Sequence, residues 1–362
     1  MNLYDRHLAG RLLRAIAQTV VTLVGLFILI DLLSLRLERM DRYETPLLQA
    51  VQYYEFMIPE ILFEYHILAV SILVGGLMVL GKIAQNNEAT SLLAAGVSLR
   101  RIAAVPLVIG ALIGLFAFTF NEFAGVRLTA LQDEVGKRYL ERAEGETYQT
   151  VSWPHLTDGW SCHVLSFNPK ALSGQDVFLH RNTADTLEEI RARRIYWDVE
   201  RNTWMLEDGR WFSTNTGDAW RQKVTRITSA PAPFTAPPSQ LFALDQNPGT
   251  RSIVELRAAL EQAEAFGTPT ARGWLAFHRK LAQPVLCAIM MLLAIPFAMR
   301  FRRGGALAGF GISITIALAY MLVFYAGNGL AYIYIIPPAL GAWAANVIFG
   351  VGGWWLFLRT PT

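Results

Sequence analysis

The chain has 362 residues, of which 53% are hydrophobic and only 17% are charged, and its formal net charge at pH 7 is +3. This composition favours a membrane protein with a soluble portion over an all-soluble enzyme, and so small a net charge gives no argument for nucleic acid as a partner. Cys162 and Cys287 lie in segments of different character, so no disulfide framework is predicted.

Six apolar segments are long enough to cross a membrane, because a hydrocarbon core of about 30 Å needs about 20 helical residues. Three segments precede a polar insert and three follow it. Pro59 is expected to kink or start the second segment. The predicted spans are Leu12–Leu35, Ile61–Ile83, Leu99–Phe123, Trp274–Met299, Ala306–Leu330 and Ile335–Leu358.

The basic residues of the short connections predict the orientation of these spans. They precede the first span, lie between spans two and three and between spans four and five, and follow the last. By the positive-inside rule these regions belong in the cytoplasm, so the insert is predicted to lie outside. The residues concerned are Arg6, Arg11, Arg14, Lys82, Arg100, Arg101, Arg300, Arg302, Arg303 and Arg359.

The connection between the second and third spans, residues 85–98, is too polar to lie in lipid and predicts a short helix over residues 87–96. Asn87 is expected to cap this helix, Glu88 suits its positive N-terminal end, and Gly96 is expected to close it. The simpler alternative is a loop that follows the membrane surface.

As a docking element, the same helix would place an apolar face in the groove of a soluble partner. Glu88 would supply a charged anchor beside that groove. The apolar face consists of Leu92, Leu93 and Val97.

The insert, residues 147–246, alternates short apolar and polar runs, among them Ile195–Val199 and Thr203–Leu206, with a turn signal at Asp208 and Gly209. This pattern predicts an all-β, jellyroll-like domain. Two helical stretches, Arg127–Glu144 and Ser252–Phe266, are expected to join it to the membrane portion. The predicted divisions are therefore 1–146, 147–246 and 247–362.

One match to a phosphate-loop pattern is rejected. Gly76 to Lys82 reads G-x-x-x-x-G-K, but Ile83 follows in place of a serine or threonine, and the segment lies inside an apolar span. Small residues easing helix packing are the better interpretation. No ATPase site and no cofactor are predicted in this chain.

No metal site is predicted either. The histidines and the cysteine of the insert match no zinc spacing, and they fall on predicted strands and loops. These residues are His155, Cys162, His163 and His180.

Charged residues near the predicted outer ends of the spans have two interpretations. Most lie where water is available, so simple solvation explains them; alternatively, the arginines hold an anionic headgroup, because arginine makes bidentate phosphate contacts. The set comprises Asp31, Arg36, Arg39, Arg42, Glu64, Glu122, Arg127, Arg272, Arg279 and Lys280.

Two pairs of glycines four residues apart permit close helix approach. They are Gly110 with Gly114 and Gly305 with Gly309. Packing between spans of one chain is the simpler explanation, and an interface with a partner subunit is the alternative.

The three-span, insert, three-span layout, the opening Leu3–Leu8 (LYDRHL) and the segment Glu88–Ser98 (EATSLLAAGVS) resemble the LptF/LptG (YjgP/YjgQ) lipopolysaccharide-export permeases. The resemblance covers essentially the whole chain. The opening and the segment Pro337–Gly341 are more similar to the LptG branch of that family.

The resemblance implies a half-transporter of the bacterial inner membrane. It would pair with an LptF-like subunit, an LptB-like ATPase dimer that uses ATP and Mg²⁺, and an LptC-like periplasmic partner, with lipopolysaccharide as substrate. It assigns ATPase coupling to Glu88, Leu92, Leu93 and Gly96, and it makes Arg36, Arg39 and Arg127 the candidates for phosphate contact.

Two other classes stay open at this point. The first is another ABC-type permease, such as a lipoprotein-release protein. Those proteins carry a large outside domain after the first of four spans, whereas here the insert follows the third of six spans, which argues against this class. A membrane scaffold or sensor with a ligand-binding β-domain is the second alternative.

Overall fold

The computed structural model describes residues 3–42, 46–136, 149–153, 156–169, 171–183, 186–215, 222–238, 248–265, 270–300 and 305–360. The chain divides into two compact units. A helical unit comprises residues 1–141, 249–253 and 274–362, and a β-rich unit comprises residues 142–248 and 254–273.

Six helices of the described chain are long and apolar enough to cross a membrane, which confirms the predicted number and its division into three and three. We call them spans 1 to 6 in chain order. They are Leu3–Ser34, Ile67–Gln85, Leu99–Val135, Ala271–Arg300, Gly309–Tyr332 and Pro338–Leu358.

The predicted start of span 2 is wrong by several residues. Pro59 lies inside a separate helix, Leu47–Phe63, and neither begins nor kinks the span. The chain then turns at His66, whose φ of 59° is left-handed, and span 2 begins at Ile67. A hydropathy average does not register this turn, because only Glu64, Tyr65 and His66 separate the apolar run 61–63 from the apolar residues that begin at Ile67.

Spans 1 and 3 each contain a π-helical turn, at Leu32–Arg36 and Asn121–Gly125. The helix continues beyond each turn, as Leu37–Arg42 and as Val126–Val135. The second continuation confirms the beginning of the predicted stretch Arg127–Glu144, whose residues from 137 onward lie outside the described chain. Because a π-turn bonds residues five apart, it brings side chains at positions i and i+5 onto one face.

The core of the helical unit receives buried side chains from all six spans, so the spans form one packed bundle. The apolar contacts made in this core are the main source of its stability. Representative members, from span 1 to span 6, are Leu12, Leu73, Ile109, Met291, Tyr320 and Phe357.

Gly110 and Gly114 allow span 3 to pack closely on span 4. A Cβ atom at Gly110 would lie 2.7 Å from the Cβ of Met291, and one at Gly114 would collide with the carbonyl oxygen of Pro284. Packing within the chain therefore accounts for this pair. By contrast, a Cβ at Gly309 would meet nothing within 4 Å.

The insert contains one antiparallel sheet in which β1 to β6 follow one another in chain order, as in a meander. The strands are β1 Gln149–Trp153, β2 Ser161–Asn168, β3 Ser173–Asn182, β4 Thr186–Asp198, β5 Thr203–Asn215 and β6 Gln222–Pro231. This confirms an inserted all-β domain between spans 3 and 4.

One face of the sheet buries an aromatic core. Trp204 is fully buried, its ring lies 5.7 Å from that of Trp153, and its indole N–H donates to the carbonyl of Ala236 at 2.8 Å. Phe167 and Phe234 complete the cluster. Each aromatic side chain contributes a large apolar area, so this core holds the sheet together.

The residues weighed as metal ligands do not form a metal site in the described chain. Cys162 is buried in the core, where burial raises its pKa. His163 and His180 are stacked on neighbouring strands with ring centroids 5.7 Å apart, and the described residues contain no group of three or more potential ligands. His155 lies outside the described residues.

We expect Gly114→Val to lower the stability of the helical unit by about 1–3 kcal/mol, because the added methyl groups collide with the backbone of span 4. Gly352→Val is the matched control, since a Cβ there meets nothing within 4 Å. The measurement is Tm in detergent. Equal Tm values for the two variants would contradict this account of the packing.

Candidate functional site

The connection between spans 2 and 3 contains a helix, Glu88–Ala94, which we call the connecting helix. Gly96 has a φ of 85°, and the N–H groups of Gly96 and Val97 donate to the carbonyls of Leu93 and Leu92, both at 3.0 Å. This is a Schellman motif, in which glycine adopts the left-handed conformation without steric cost. The prediction that Gly96 closes the helix is confirmed.

The predicted cap at the other end is wrong. Asn87 precedes the helix, but its φ is 57° and its side chain makes no capping hydrogen bond. Its carbonyl accepts from the backbone N–H of Ser91 at 2.9 Å and from the Ser91 hydroxyl at 3.0 Å. A capping residue usually has extended backbone angles, whereas Asn87 is left-handed, and the helix therefore begins without a side-chain cap.

The apolar stripe of the connecting helix faces its own bundle. Ala89 is fully buried in the core of the helical unit, and Leu93 packs against that core. Leu92 and Val97 are half-buried. The sequence predicted that Leu93 points toward a partner, whereas in the structure it points toward the spans. So short a helix has a single apolar stripe, and that stripe packs on the spans.

The opposite face of the connecting helix is exposed and carries small side chains, namely Thr90, Ser91 and Ala94. Side chains of this size let another surface approach the helix backbone closely. The exposed face is therefore shaped for close contact but provides little apolar area of its own.

Two ion pairs tie the beginning of span 1 to the connection. Arg11 Nη1 lies 3.5 Å from Glu88 Oε2, and Arg101 Nη2 donates to Asp5 Oδ2 at 2.6 Å. Asp5 is 5% exposed. Its pair with Arg101 therefore matters more for stability than the Arg11–Glu88 pair, because a buried carboxylate requires a charged partner. Glu88 also accepts from Asn86 Nδ2 at 3.2 Å.

At the other end of span 1, Arg36 is enclosed by its own chain. Asp31 Oδ2 accepts from Arg36 Nε at 3.3 Å and from the Tyr54 hydroxyl at 2.9 Å. The guanidinium lies 4.8 Å from the Tyr53 ring centroid, and the Arg36 side chain is only 14% exposed. Burial, together with Asp31, raises the pKa of Tyr54, which keeps its hydroxyl a donor.

The π-turn explains the pairing of Asp31 with Arg36. The two residues are five apart and flank the turn Leu32–Arg36, so their side chains share a face. No local sequence pattern indicates this arrangement, because hydropathy does not distinguish a π-turn from an α-turn.

The other two candidate arginines differ from Arg36. Arg127, just after the π-turn of span 3, is exposed and makes no ion pair with any residue that the structure describes. Arg39 lies in the helix Leu37–Arg42, and its side chain is outside the described part of the chain. The structure therefore does not bring the three candidates together as one described cluster.

A second charged junction joins span 3, span 4 and the segment leading into span 4. Glu122 Oε2 accepts the backbone N–H of Ile253 at 2.7 Å, and Lys280 Nζ lies 3.7 Å from Glu122 Oε1 and donates to the carbonyl of Arg251. The sequence marked Glu122 and Lys280 only as boundary charges. Their role depends on a contact between residues 131 positions apart in the chain.

The chain is similar throughout its length to lipopolysaccharide export permeases. The family model described as "Lipopolysaccharide export system permease LptF/LptG" matches residues 6–359. The lipopolysaccharide export system permease protein LptG of Haemophilus influenzae is 26% identical over 99% of both chains. The protein of the same description from Escherichia coli K12 is 22% identical over 98% of both chains.

We expect Arg101→Gln to destabilise the beginning of span 1 by about 1–3 kcal/mol, because the buried Asp5 carboxylate loses its charged partner. The measurements are Tm in detergent and hydrogen exchange of the amides of residues 4–12, which should exchange faster. Arg100→Gln is the control, since Arg100 is exposed on the same helical turn. Unchanged exchange in the Arg101 variant would contradict the assignment.

Proposed function

Because the chain belongs to the LptF/LptG family of lipopolysaccharide export permeases, we propose that it is the permease subunit of an ATP-driven transporter that extracts lipopolysaccharide from the inner membrane. It passes the lipid to a periplasmic bridge leading to the outer membrane. The six spans and the family make it a multi-pass inner-membrane protein. The placement of the β-domain in the periplasm is part of the proposal and follows from the positions of the basic residues.

In this proposal the energy comes from another chain. An LptB-like ATPase dimer binds ATP and Mg²⁺, an LptF-like subunit completes the permease, and an LptC-like protein receives the lipid. The helical position of Gly76 and Lys82 inside span 2 supports this division of labour, since a phosphate loop lies between a strand and a helix.

The observation that carries the proposal is the attachment of the connecting helix to the spans. Its exposed face would contact the ATPase, while Ala89 and Leu93 are packed into the bundle core and Glu88 is paired with Arg11 of span 1. A force on the helix is thereby transmitted to span 1, because packed elements move as units.

The residues assigned to coupling have separate tasks in this scheme. Leu93, with Ala89, fixes the helix to the bundle, Leu92 is half-buried beside it, and Gly96 sets the angle at which the chain leaves the helix. Glu88, with its side chain 36% exposed, is available both to Arg11 and to a basic group of the ATPase.

For the substrate, we propose that Arg36, Arg39 and Arg127 contact the phosphates of the headgroup. Arg127 is exposed and open to direct contact. Arg36 is held by Asp31, so a headgroup phosphate must compete with that carboxylate to bind it.

We expect Glu88→Ala to reduce ATPase association and lipid release, because the exposed carboxylate is lost at the contact surface. The measurements are copurification of the ATPase from detergent and release of lipopolysaccharide from membrane vesicles. Association and release equal to those of the unchanged chain would sink the coupling assignment.

Arg11→Ala is the matched variant for this test. It removes the internal ion pair but leaves the Glu88 charge available to a partner. We expect ATPase association to persist in this variant while release falls, because the link to span 1 is weakened. If association falls as much as in Glu88→Ala, Glu88 acts only within the chain and the docking role is wrong.

Among the arginines, we expect Arg127→Glu to reduce photocrosslinking of lipopolysaccharide near span 3 by about tenfold, since a charged hydrogen bond to phosphate contributes about 1.5–3 kcal/mol. Arg14→Glu, at an exposed position near the other end of span 1, is the control. Equal crosslinking in both variants would remove Arg127 from the headgroup site.

A further inference from the structure

The two faces of the sheet differ sharply in chemistry. Paired residues on β2 to β6 form one cross-strand row that is largely buried: Val164, Val177, Ala192, Gly209 and Ile227. The next row points to the other face, because successive residues of a strand alternate. Its members are His163, Phe178, Arg191, Arg210 and Arg226.

Three arginines thus stand directly opposite one another on adjacent strands β4, β5 and β6. Arg191 pairs in register with Arg210, and Arg210 with Arg226. Directly opposed side chains have Cβ atoms about 4.5–5.5 Å apart, and like charges at this separation destabilise a sheet. We call this set the arginine row.

Only part of this repulsion is relieved among the residues that the structure describes. Arg191 is paired with Glu189 at 2.5 Å and lies over the Phe178 ring at 4.6 Å. For Arg210 and Arg226, the described residues supply no ion pair, and both side chains are exposed. Within the described part of the chain, the row thus has two cations with no acidic partner, which an anionic ligand would neutralise.

The arginine row lies in a depression of about 770 Å³ with apolar side chains at its sides. Phe178 and Phe212 contribute aromatic rings, and Leu165 and Val224 are 61% and 52% exposed. Arg193 also lines the depression and is paired with Asp208 at 3.3 Å. Asp176 lines the depression as well, so four arginines face two carboxylates there. The site thus combines net positive charge with exposed apolar surface, which suits an amphiphilic anion.

We propose that the arginine row binds the phosphorylated headgroup of an amphiphile, with Arg210 and Arg226 contacting phosphate oxygens. This inference rests on the proposed function, from which the amphiphile is lipopolysaccharide. Arginine forks match the oxygens of a phosphate bidentately, and the apolar sides of the depression accept the less polar parts of the ligand.

The volume of the depression is compatible with a ligand headgroup. A volume of about 770 Å³ lies within the range of about 300–1,000 Å³ typical of small-molecule sites. A stable protein interface covers about 800 Å² of each partner and requires a broad matching surface. An acidic protein could also neutralise the arginines, so the experiment must be able to detect one.

The test uses the full-length chain in membranes with a photoreactive amino acid at Val224, two residues before Arg226 on β6. The probes are lipopolysaccharide and the same preparation after enzymatic removal of its phosphates. We expect Val224 to crosslink the intact lipid, and we expect R210Q/R226Q and dephosphorylation each to reduce the yield about tenfold or more.

Two controls match these changes. A photoreactive group at Val199, 80% exposed at the β4–β5 turn, should give little crosslink. R201Q removes an arginine of the same turn, which is 69% exposed and paired with Asp198, and should leave the Val224 yield unchanged.

Several results would overturn the proposal: an equal yield in R210Q/R226Q, an equal yield with the dephosphorylated lipid, or capture of a protein at Val224. Release of lipopolysaccharide by the unchanged chain is measured in parallel. Normal release without a crosslink at Val224 overturns this site alone, whereas absence of release from the complete complex overturns the proposed function.

Discussion

The structure depends first on the constraint that lipid imposes on the backbone. Because hydrocarbon offers no hydrogen-bond partners, each crossing segment must satisfy its own N–H and C=O groups, and the six spans are helices for that reason. The same constraint moves most of the chemistry to the ends of the spans. The connecting helix and the Asp31–Arg36 pair lie at such ends, and the Glu122–Lys280 junction lies where spans 3 and 4 meet the chain at Ile253.

The charged contacts at these ends link separate helices to one another. At one end, Arg11 attaches span 1 to Glu88 of the connecting helix, and Asp5 attaches it to Arg101 of span 3. At the other, Glu122 receives the backbone of Ile253 as the chain returns toward span 4. Exposed ion pairs add little stability, so the contacts of buried groups such as Asp5 matter most.

The β-domain solves a different problem, since it must fold in water. One face of its sheet is rich in tryptophan and is buried within the domain. Because successive side chains of a strand point to opposite faces, this burial also determines which residues lie on the other face. Shifting one strand by a single residue would bury an arginine of the row and expose its apolar neighbour. The register that protects the core is thus the same register that aligns Arg191, Arg210 and Arg226.

Local signals in the sequence were sufficient for features that depend on neighbouring residues. Apolar length predicted six spans, alternation predicted an inserted β-domain, and Gly96 was predicted to close the connecting helix, because each follows from properties within a few residues. The family resemblance was also present in the sequence, and the match over residues 6–359 confirms it.

Only the tertiary structure decided how distant residues meet. Pro59 was misplaced because a hydropathy average stays high across the short left-handed turn at His66, and Arg36 is enclosed because a π-turn brings Asp31 onto its face. Glu88 meets Arg11 across 77 positions of sequence, and the arginine row exists only once three strands have aligned. Such contacts depend on helix packing and strand register, which no local sequence pattern encodes.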